Sequence, residues 1–100
     1  MTYSLLIKPE ARFDIDDSFR WYEKRQRGLG AEFELCLDQA LNRIVRDPES
    51  YATIYRDIRR VPLKRFPYGV FFRVRESVVV VVAVLHGRRS LRRLKGRAEL

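Results

Sequence analysis

The sequence predicts an α+β fold: an antiparallel four-stranded sheet with an N-terminal helical hairpin packed on one face, in the order β-α-α-β-β-β. Three observations lead there. Residues 9–46 contain two stretches whose apolar residues recur at helical spacing, joined at Gly28-Leu29-Gly30. Residues 58–75 hold two strand-like stretches separated by a Phe-Pro-Tyr-Gly turn. Val78 to Leu85 is an unbroken apolar run, mostly β-branched, ending in the single histidine, His86. Such side chains are stiff at χ1 and suit a pleated sheet, so the run reads as a central strand buried on both faces. It is too short to cross a bilayer, which takes about 20 apolar residues.

Taken in order, Tyr3 to Lys8 is a plausible first strand. Pro9 suits the first position of a helix, where its missing N–H is not needed. Glu10, Asp14, Asp16 and Asp17 crowd the early turns, as the helix dipole favours. Ala11, Ile15, Phe19 and Tyr22 define one face of a helix over residues 9–26; Phe13 and Trp21 fall off that stripe. Gly28 or Gly30 stops it, and the glycine spacing fits neither nucleotide-binding motif. A second helix runs to about Arg46, with Phe33, Leu37, Ala40, Leu41, Ile44 and Val45 on its core face. Asp47-Pro48 ends it, because the residue before proline avoids helical geometry.

Residues 49–57 read as irregular. Ile58 to Arg65 reads as a basic strand, with Pro62 placing it at an edge or a bulge. In the next strand Val70, Phe72 and Val74 face one way; Phe71, Arg73 and Arg75 face the other. Glu76-Ser77 is short enough to make a hairpin with the valine strand. Residues 90–100 form a basic tail, either a short helix or a mobile arm. The helices would cover one sheet face and the basic side chains the other.

The chain has 100 residues, 46% hydrophobic and 34% charged, which indicates one folded domain over residues 1–100. No signal-peptide pattern opens it, so a cytoplasmic location and no membrane contact are expected. One cysteine and one histidine exclude an internal disulfide and the usual structural zinc sites, and no cofactor is expected. Charge is unevenly spread. Residues 1–50 carry 8 Lys/Arg against 10 Asp/Glu, whereas residues 51–100 carry 13 against 3. The basic half calls for an anionic partner, nucleic acid or an acidic protein segment.

The basic set is Arg59, Arg60, Lys64, Arg65, Arg73, Arg75, Arg88 and Arg89. An arginine fork suits phosphate and carboxylate alike. Cleavage of RNA needs a base for the 2′-OH, a cation for the phosphorane and an acid for the leaving oxygen. His86 could be acid or base and Arg73 the phosphate clamp. No clear second acid–base group accompanies them: Asp57 and Glu76 are the nearby carboxylates, and Tyr68 lies in a turn. The plainer alternatives are a strand-end hydrogen bond for His86 and a solvated strand position for Arg73. Cys36 falls on a buried helix face without an activating neighbour in sequence.

Several motifs in sequence resemble one known family. They are Tyr-x-Leu-x-Ile-x-Pro-x-Ala over residues 3–11, Trp21-Tyr22-Glu23, Gly28-Leu29-Gly30-Ala31-Glu32-Phe33, Asp47-Pro48, Arg59 to Tyr68, and Ala83 to Arg89. Together they resemble the RelE/ParE superfamily of toxins from type II toxin–antitoxin pairs. The resemblance implies an antiparallel sheet with a helical hairpin. It also implies one of two activities: RelE-like members cut mRNA in the ribosome, and ParE-like members poison DNA gyrase. Arg73 and His86 match the ribonuclease branch; Gly87 departs from it, and a base glutamate is lacking. The Trp-Tyr, Gly-Leu-Gly and Phe-Pro-Tyr set is closer to the ParE-like, plasmid-stabilisation group, so gyrase poisoning is the leading expectation and ribonuclease the alternative. A non-toxic basic binding module is the third. The resemblance further implies a cognate antitoxin whose acidic amphipathic C-terminal segment wraps the toxin. Arg59, Arg60, Lys64, Arg65, Arg75, Arg88 and Arg89 are the candidates for binding it or the target.

Overall fold

The fold was analysed in a computed structural model that describes residues 2–87 and 90–98. Strand β1 is Ser4–Ile7, helix α1 Pro9–Arg25 and helix α2 Leu29–Arg46, followed by a single 3-10 turn at Pro48–Ser50. Then come β2 Thr53–Tyr55, β3 Ile58–Pro62, β4 Tyr68–Arg75, β5 Val78–His86 and helix α3 Ser90–Ala98. The five strands form one sheet in the order β1-β5-β4-β3-β2.

The sheet therefore differs from the four antiparallel strands expected. It is mixed, because β1 lies parallel to β5, with Ser4 opposite Val78 and Ile7 opposite Val81. The chain leaves β1 through both helices, then runs β2 to β5 as an antiparallel meander, which returns β5 in the direction of β1. The fifth strand, β2, escapes a sequence reading because it is three residues long, exposed and irregular in register. The basic strand ends at Pro62 rather than Arg65; Leu63 N–H then donates to Tyr68 O at 2.9 Å, and Arg65 takes a left-handed conformation with φ 72°. The middle position in the sheet belongs to β4, not to the valine run, which is the next strand inward from the β1 edge.

The helical hairpin is built around a glycine–carboxylate contact. Gly28 precedes α2 with φ 88°, a left-handed conformation that glycine adopts without steric cost. Gly30 sits where a side chain cannot: a Cβ there would lie 2.9 Å from the Phe19 carbonyl oxygen. The backbone N–H groups of Gly28 and Gly30 donate to the Glu23 carboxylate at 2.9 and 3.0 Å. Glu23, from the end of α1, thus caps α2 and places a negative charge at its positive end.

Both sheet faces are covered. On the first, Ala11 and Ile15 of α1 and Phe33, Leu37, Ala40 and Ile44 of α2 pack on Val70, Phe72, Val79, Val81 and Val84. On the second, Leu94 of α3 packs with Ile58, Phe71, Val82, Ala83 and Leu85. The second face is therefore not the open basic surface expected, and the tail is a helix over residues 90–98. A β-bulge puts two adjacent residues of β5, Val82 and Ala83, in the second layer. Phe71 pairs with Ala83 and Phe72 with Val81, which leaves Val82 unpaired.

Beyond the bulge, β1 no longer accompanies β5, and the strand has an uncovered edge. Asp14, on α1, covers it. Val84 N–H donates to the Asp14 carboxylate at 3.0 Å, and Arg97 of α3 donates to Asp14 Oδ1 at 2.8 Å and to Val82 O at 3.3 Å, with a second contact from its Nη1 to Asp14 Oδ2. One carboxylate and one guanidinium thus take the hydrogen bonds that a longer β1 would have made. Asp14 is only 5% exposed at its side chain. Its place in the first turns of α1 reflects this ion pair and not the helix dipole alone. The hydrogen bond that Arg97 donates to Asp14 raises the Arg97 pKa against the opposing effect of burial. Asp14→Ala strands Arg97 and leaves Val84 N–H without an acceptor. It is expected to cost about 3 kcal/mol in urea unfolding; an unchanged midpoint would show that the pair does not hold the layers together.

Candidate functional site

Two surfaces carry polar chemistry. The first is the β2–β4 end of the second sheet face. Its arginines alternate on β4, Arg73 and Arg75 pointing away from the hairpin while Val70 and Phe72 point into it. Asp57, in the two-residue turn between β2 and β3, holds both. Arg75 Nη1 lies 2.5 Å from Asp57 Oδ2, and Arg73 Nη2 lies 3.3 Å from Asp57 Oδ1. Burial acts to raise the Asp57 pKa, but the Arg75 hydrogen bond and the two positive charges outweigh it and hold the carboxyl below its ordinary value. Arg73 is 12% exposed at its side chain, and its Nε is buried without a hydrogen-bond partner among the described residues. Arg56, at φ 52°, and Lys95 lie 5.3 and 5.9 Å from the centroid of the Tyr55 ring, which extends the positive rim.

The remaining sequence candidates divide by face. Arg60 shares the second face, its guanidinium 5.8 Å from the Phe71 ring. It lies flat across Gly69, where a Cβ would come within 2.7 Å of Arg60 Nε. Arg59 points the other way and donates to the carbonyls of Glu49 and Tyr51 at 3.1 and 2.5 Å, which anchors the segment entering β2. Lys64 and Arg65 are exposed in the β3–β4 loop, with Arg65 3.5 Å from Glu32 of α2. Arg88 and Arg89 lie outside the described residues.

The second surface is a cleft beside His86. His86 pairs with Tyr68 across the ladder, and their rings meet edge-on at 5.5 Å. Tyr68 in turn packs on Tyr22 and Phe33 of the hairpin. Two adjoining cavities, of about 140 and 540 Å³, open here and share Asp17, Ser18, Tyr68 and His86. Trp21 and Tyr22 line the larger, and Arg93 of α3 the smaller. Trp21 is half-exposed and carries the Arg25 guanidinium 4.2 Å from its ring centroid. Burial raises the Tyr22 pKa, and the charge and hydrogen bond of Tyr68 raise it further. The one sign of this cleft in the sequence is that Trp21 falls off the core stripe of α1; Asp17 and Ser18 give no such sign.

Arg73 and His86 are not brought together. Arg73 pairs with Val80, six residues before His86 on β5, a separation of about 20 Å along the strand. They also occupy opposite sheet faces: Arg73 lies with Phe71 on the α3 side, His86 with Tyr68 on the hairpin side. Around His86 the arrangement offers a histidine, a tyrosine and a carboxylate at an aromatic cleft. Around Arg73 it offers an arginine pair fitted to an anion. Among the described residues no cluster of His, Cys, Asp and Glu is arranged to hold a metal ion, and no helix is long and apolar enough to cross a membrane. Tyr68→Phe should lower the Tyr22 pKa part of the way to its ordinary value, leaving the contribution of burial; ultraviolet titration of the phenols would measure it, and no change would mean that Tyr68 is not coupled to Tyr22.

Known proteins share this fold. Residues 5–91 match the family model of the ParE toxin of type II toxin–antitoxin systems, parDE. Toxin ParE2 of Mycobacterium tuberculosis is 25% identical over 88 residues, which span 87% of this chain and 84% of that protein. Among solved structures, the chromosomal ParDE toxin–antitoxin system from P. aeruginosa superposes with a TM-score of 0.75 at 16% identity, covering 85% of this chain and 96% of that one. A mutant of E. coli toxin RelE in the free state gives 0.63 at 16% identity, covering 99% and 97%. The RelBE2 toxin–antitoxin complex of M. tuberculosis gives 0.56 at 18% identity, covering 86% and 99%. At such identities the superpositions speak for the fold alone, and it is the family match over most of the chain that identifies it: the chain belongs to the ParE toxin family of type II toxin–antitoxin systems.

Proposed function

We propose that this chain arrests growth in the cytoplasm by poisoning DNA gyrase, and that a cognate antitoxin with an acidic amphipathic C-terminal segment neutralises it. The observation that carries the choice of target is the distance between His86 and Arg73. A ribonuclease needs its acid–base group and its phosphate clamp on one scissile bond, within hydrogen-bonding reach. Here those two side chains face opposite sides of the sheet. The family match is to ParE and points the same way. Binding to an enzyme, unlike cleavage, needs no such convergence, so the two surfaces can serve different partners.

The antitoxin follows from charge and from the relatives. The second half of the chain has ten more basic than acidic residues, and an acidic segment would offset that excess. Two of the structural relatives are described as a toxin–antitoxin system and a toxin–antitoxin complex. Arg60, Lys64, Arg65 and Arg75 are exposed or partly exposed and suited to contact a partner. Arg59 is the least suited of the set, because its guanidinium is already engaged by two carbonyls.

A second reading, ribosome-dependent cleavage of mRNA, draws on the fold shared with RelE and on the arginines of the second face. Two assays separate them. Purified chain should inhibit supercoiling by gyrase in a dose-dependent way; no effect at a large molar excess would reject the proposal. In a translating extract it should leave mRNA intact. If cleavage is seen instead, Arg73→Ala and His86→Ala test the site, and a true phosphate clamp would cost about 100-fold in rate. Blank results in both assays, with harmless expression, would leave a non-toxic basic binding module. For the antitoxin, the product of a short adjacent reading frame with an acidic tail should co-purify with the chain and restore growth. Growth arrest that such a product does not relieve would count against the pairing.

A further inference from the structure

The arginine pair of the second face is incompletely occupied. Asp57 gives one oxygen to Arg75 and the other to Arg73, so two guanidinium groups share a single carboxylate. A guanidinium binds a carboxylate best through two parallel N–H groups. Arg73 uses one, Nη2, at a long 3.3 Å, while its Nε is buried and has no partner among the described residues. The contact thus leaves one full positive charge and one half-used fork.

The residue making that contact stands on a part of the sheet able to yield. Asp57 belongs to a two-residue turn closed by the pairing of Tyr55 with Ile58. β2 is a three-residue edge strand with a register shift, and Arg56 holds a left-handed conformation in which glycine would be less strained. The Asp57 side chain is 43% exposed. Arg73, by contrast, rises from the middle strand of the sheet and pairs with Val80 of β5, one residue past the last pair of the β3–β4 ladder. The receptor thus stands on the middle strand, and the group on it stands on an exposed turn at the sheet's edge.

We propose that Arg73 is the receptor for a carboxylate side chain of an acidic peptide segment, and that Asp57 is its resident competitor. The segment's carboxylate takes the Nε–Nη2 edge of Arg73 as the Asp57 turn moves aside, and Asp57 stays with Arg75. Each arginine then has its own carboxylate. A peptide fits better than a nucleic acid because the group already seated there is a carboxylate on a short side chain. Further acidic residues of the segment meet the rim formed by Arg56 and Lys95 around Tyr55. This inference rests on the reading that an acidic antitoxin segment binds the chain, and it names the residue that receives it.

The test is the affinity of the purified chain for a fluorescently labelled polyglutamate peptide at low salt, read by anisotropy. Asp57→Asn should tighten binding roughly tenfold by removing the competitor. Glu76→Gln changes the net charge equally, in the exposed β4–β5 turn, and should tighten it by less than about twofold. Adding Arg73→Lys to Asp57→Asn should abolish the gain, since lysine keeps the charge but lacks the fork. The proposal fails if Asp57→Asn gains no more than Glu76→Gln, or if Arg73→Lys leaves the gain intact. It also fails if Asp57→Asn tightens binding of labelled oligothymidylate as much as that of polyglutamate, which would make the patch a phosphate-binding surface. Should Arg73→Lys impair folding, the comparison of Asp57→Asn with Glu76→Gln decides alone. Wild-type chain that fails to capture the adjacent-frame product would sink the antitoxin reading itself; capture without the Asp57→Asn gain would sink only this site.

Discussion

The structure depends on the need to cover β5 on both faces. A strand of valines is stable only where neither face meets water, and no single layer of helices can supply both. The helical hairpin covers Val79, Val81 and Val84, and α3 covers Val82, Ala83 and Leu85. The bulge at Val82 puts two adjacent residues, Val82 and Ala83, in the same layer. The Asp14–Arg97 pair then joins those layers around the strand's uncovered edge, one partner from the first helix and one from the last. Such a buried pair does not add much net stability over apolar packing, but losing either partner is expensive. Its value here is one of position: it fixes where α3 docks.

Much of this was legible in the sequence, and the reasons are local. The hairpin could be read because Ala11, Ile15, Phe33, Leu37, Ala40 and Ile44 repeat at helical spacing and two glycines interrupt them. β4 and β5 could be read from alternation and from β-branching. What escaped was set by contacts distant in sequence. The direction of β1 relative to β5 depends on how many strands intervene, and β2 is too short to show a pattern. Asp14 looks like any acidic residue near a helix start until Arg97, 83 residues later, is placed beside it. The helical state of the tail likewise depends on Leu94 finding a slot among Ile58, Phe71 and Leu85.

The candidate sites divide in the same way. Residue types pointed to arginines and to His86, and alternation put Arg73 and Arg75 on one face. It could not show that His86 faces the other layer, because that follows from its pairing with Tyr68 and from Tyr68 packing on Tyr22. The Phe66-Pro67-Tyr68 stretch is therefore more than a turn: Phe66 is buried in the hairpin layer, and Tyr68 connects that layer to the histidine. Gly69, at the start of the same hairpin, leaves room for Arg60 to lie flat on the sheet. A toxin of this family can in this way keep an aromatic cleft on one side and a cationic surface on the other within 100 residues.

The position of Arg97 has a genetic consequence. Truncation is tolerated where the residues it removes hold nothing else in place. In this gene a stop at codon 97 or shortly before would remove the cation that answers Asp14, and a stop a few codons earlier would also remove Leu94 from the second apolar layer. Spontaneous lesions that silence the protein should therefore be found as far along the reading frame as codon 97.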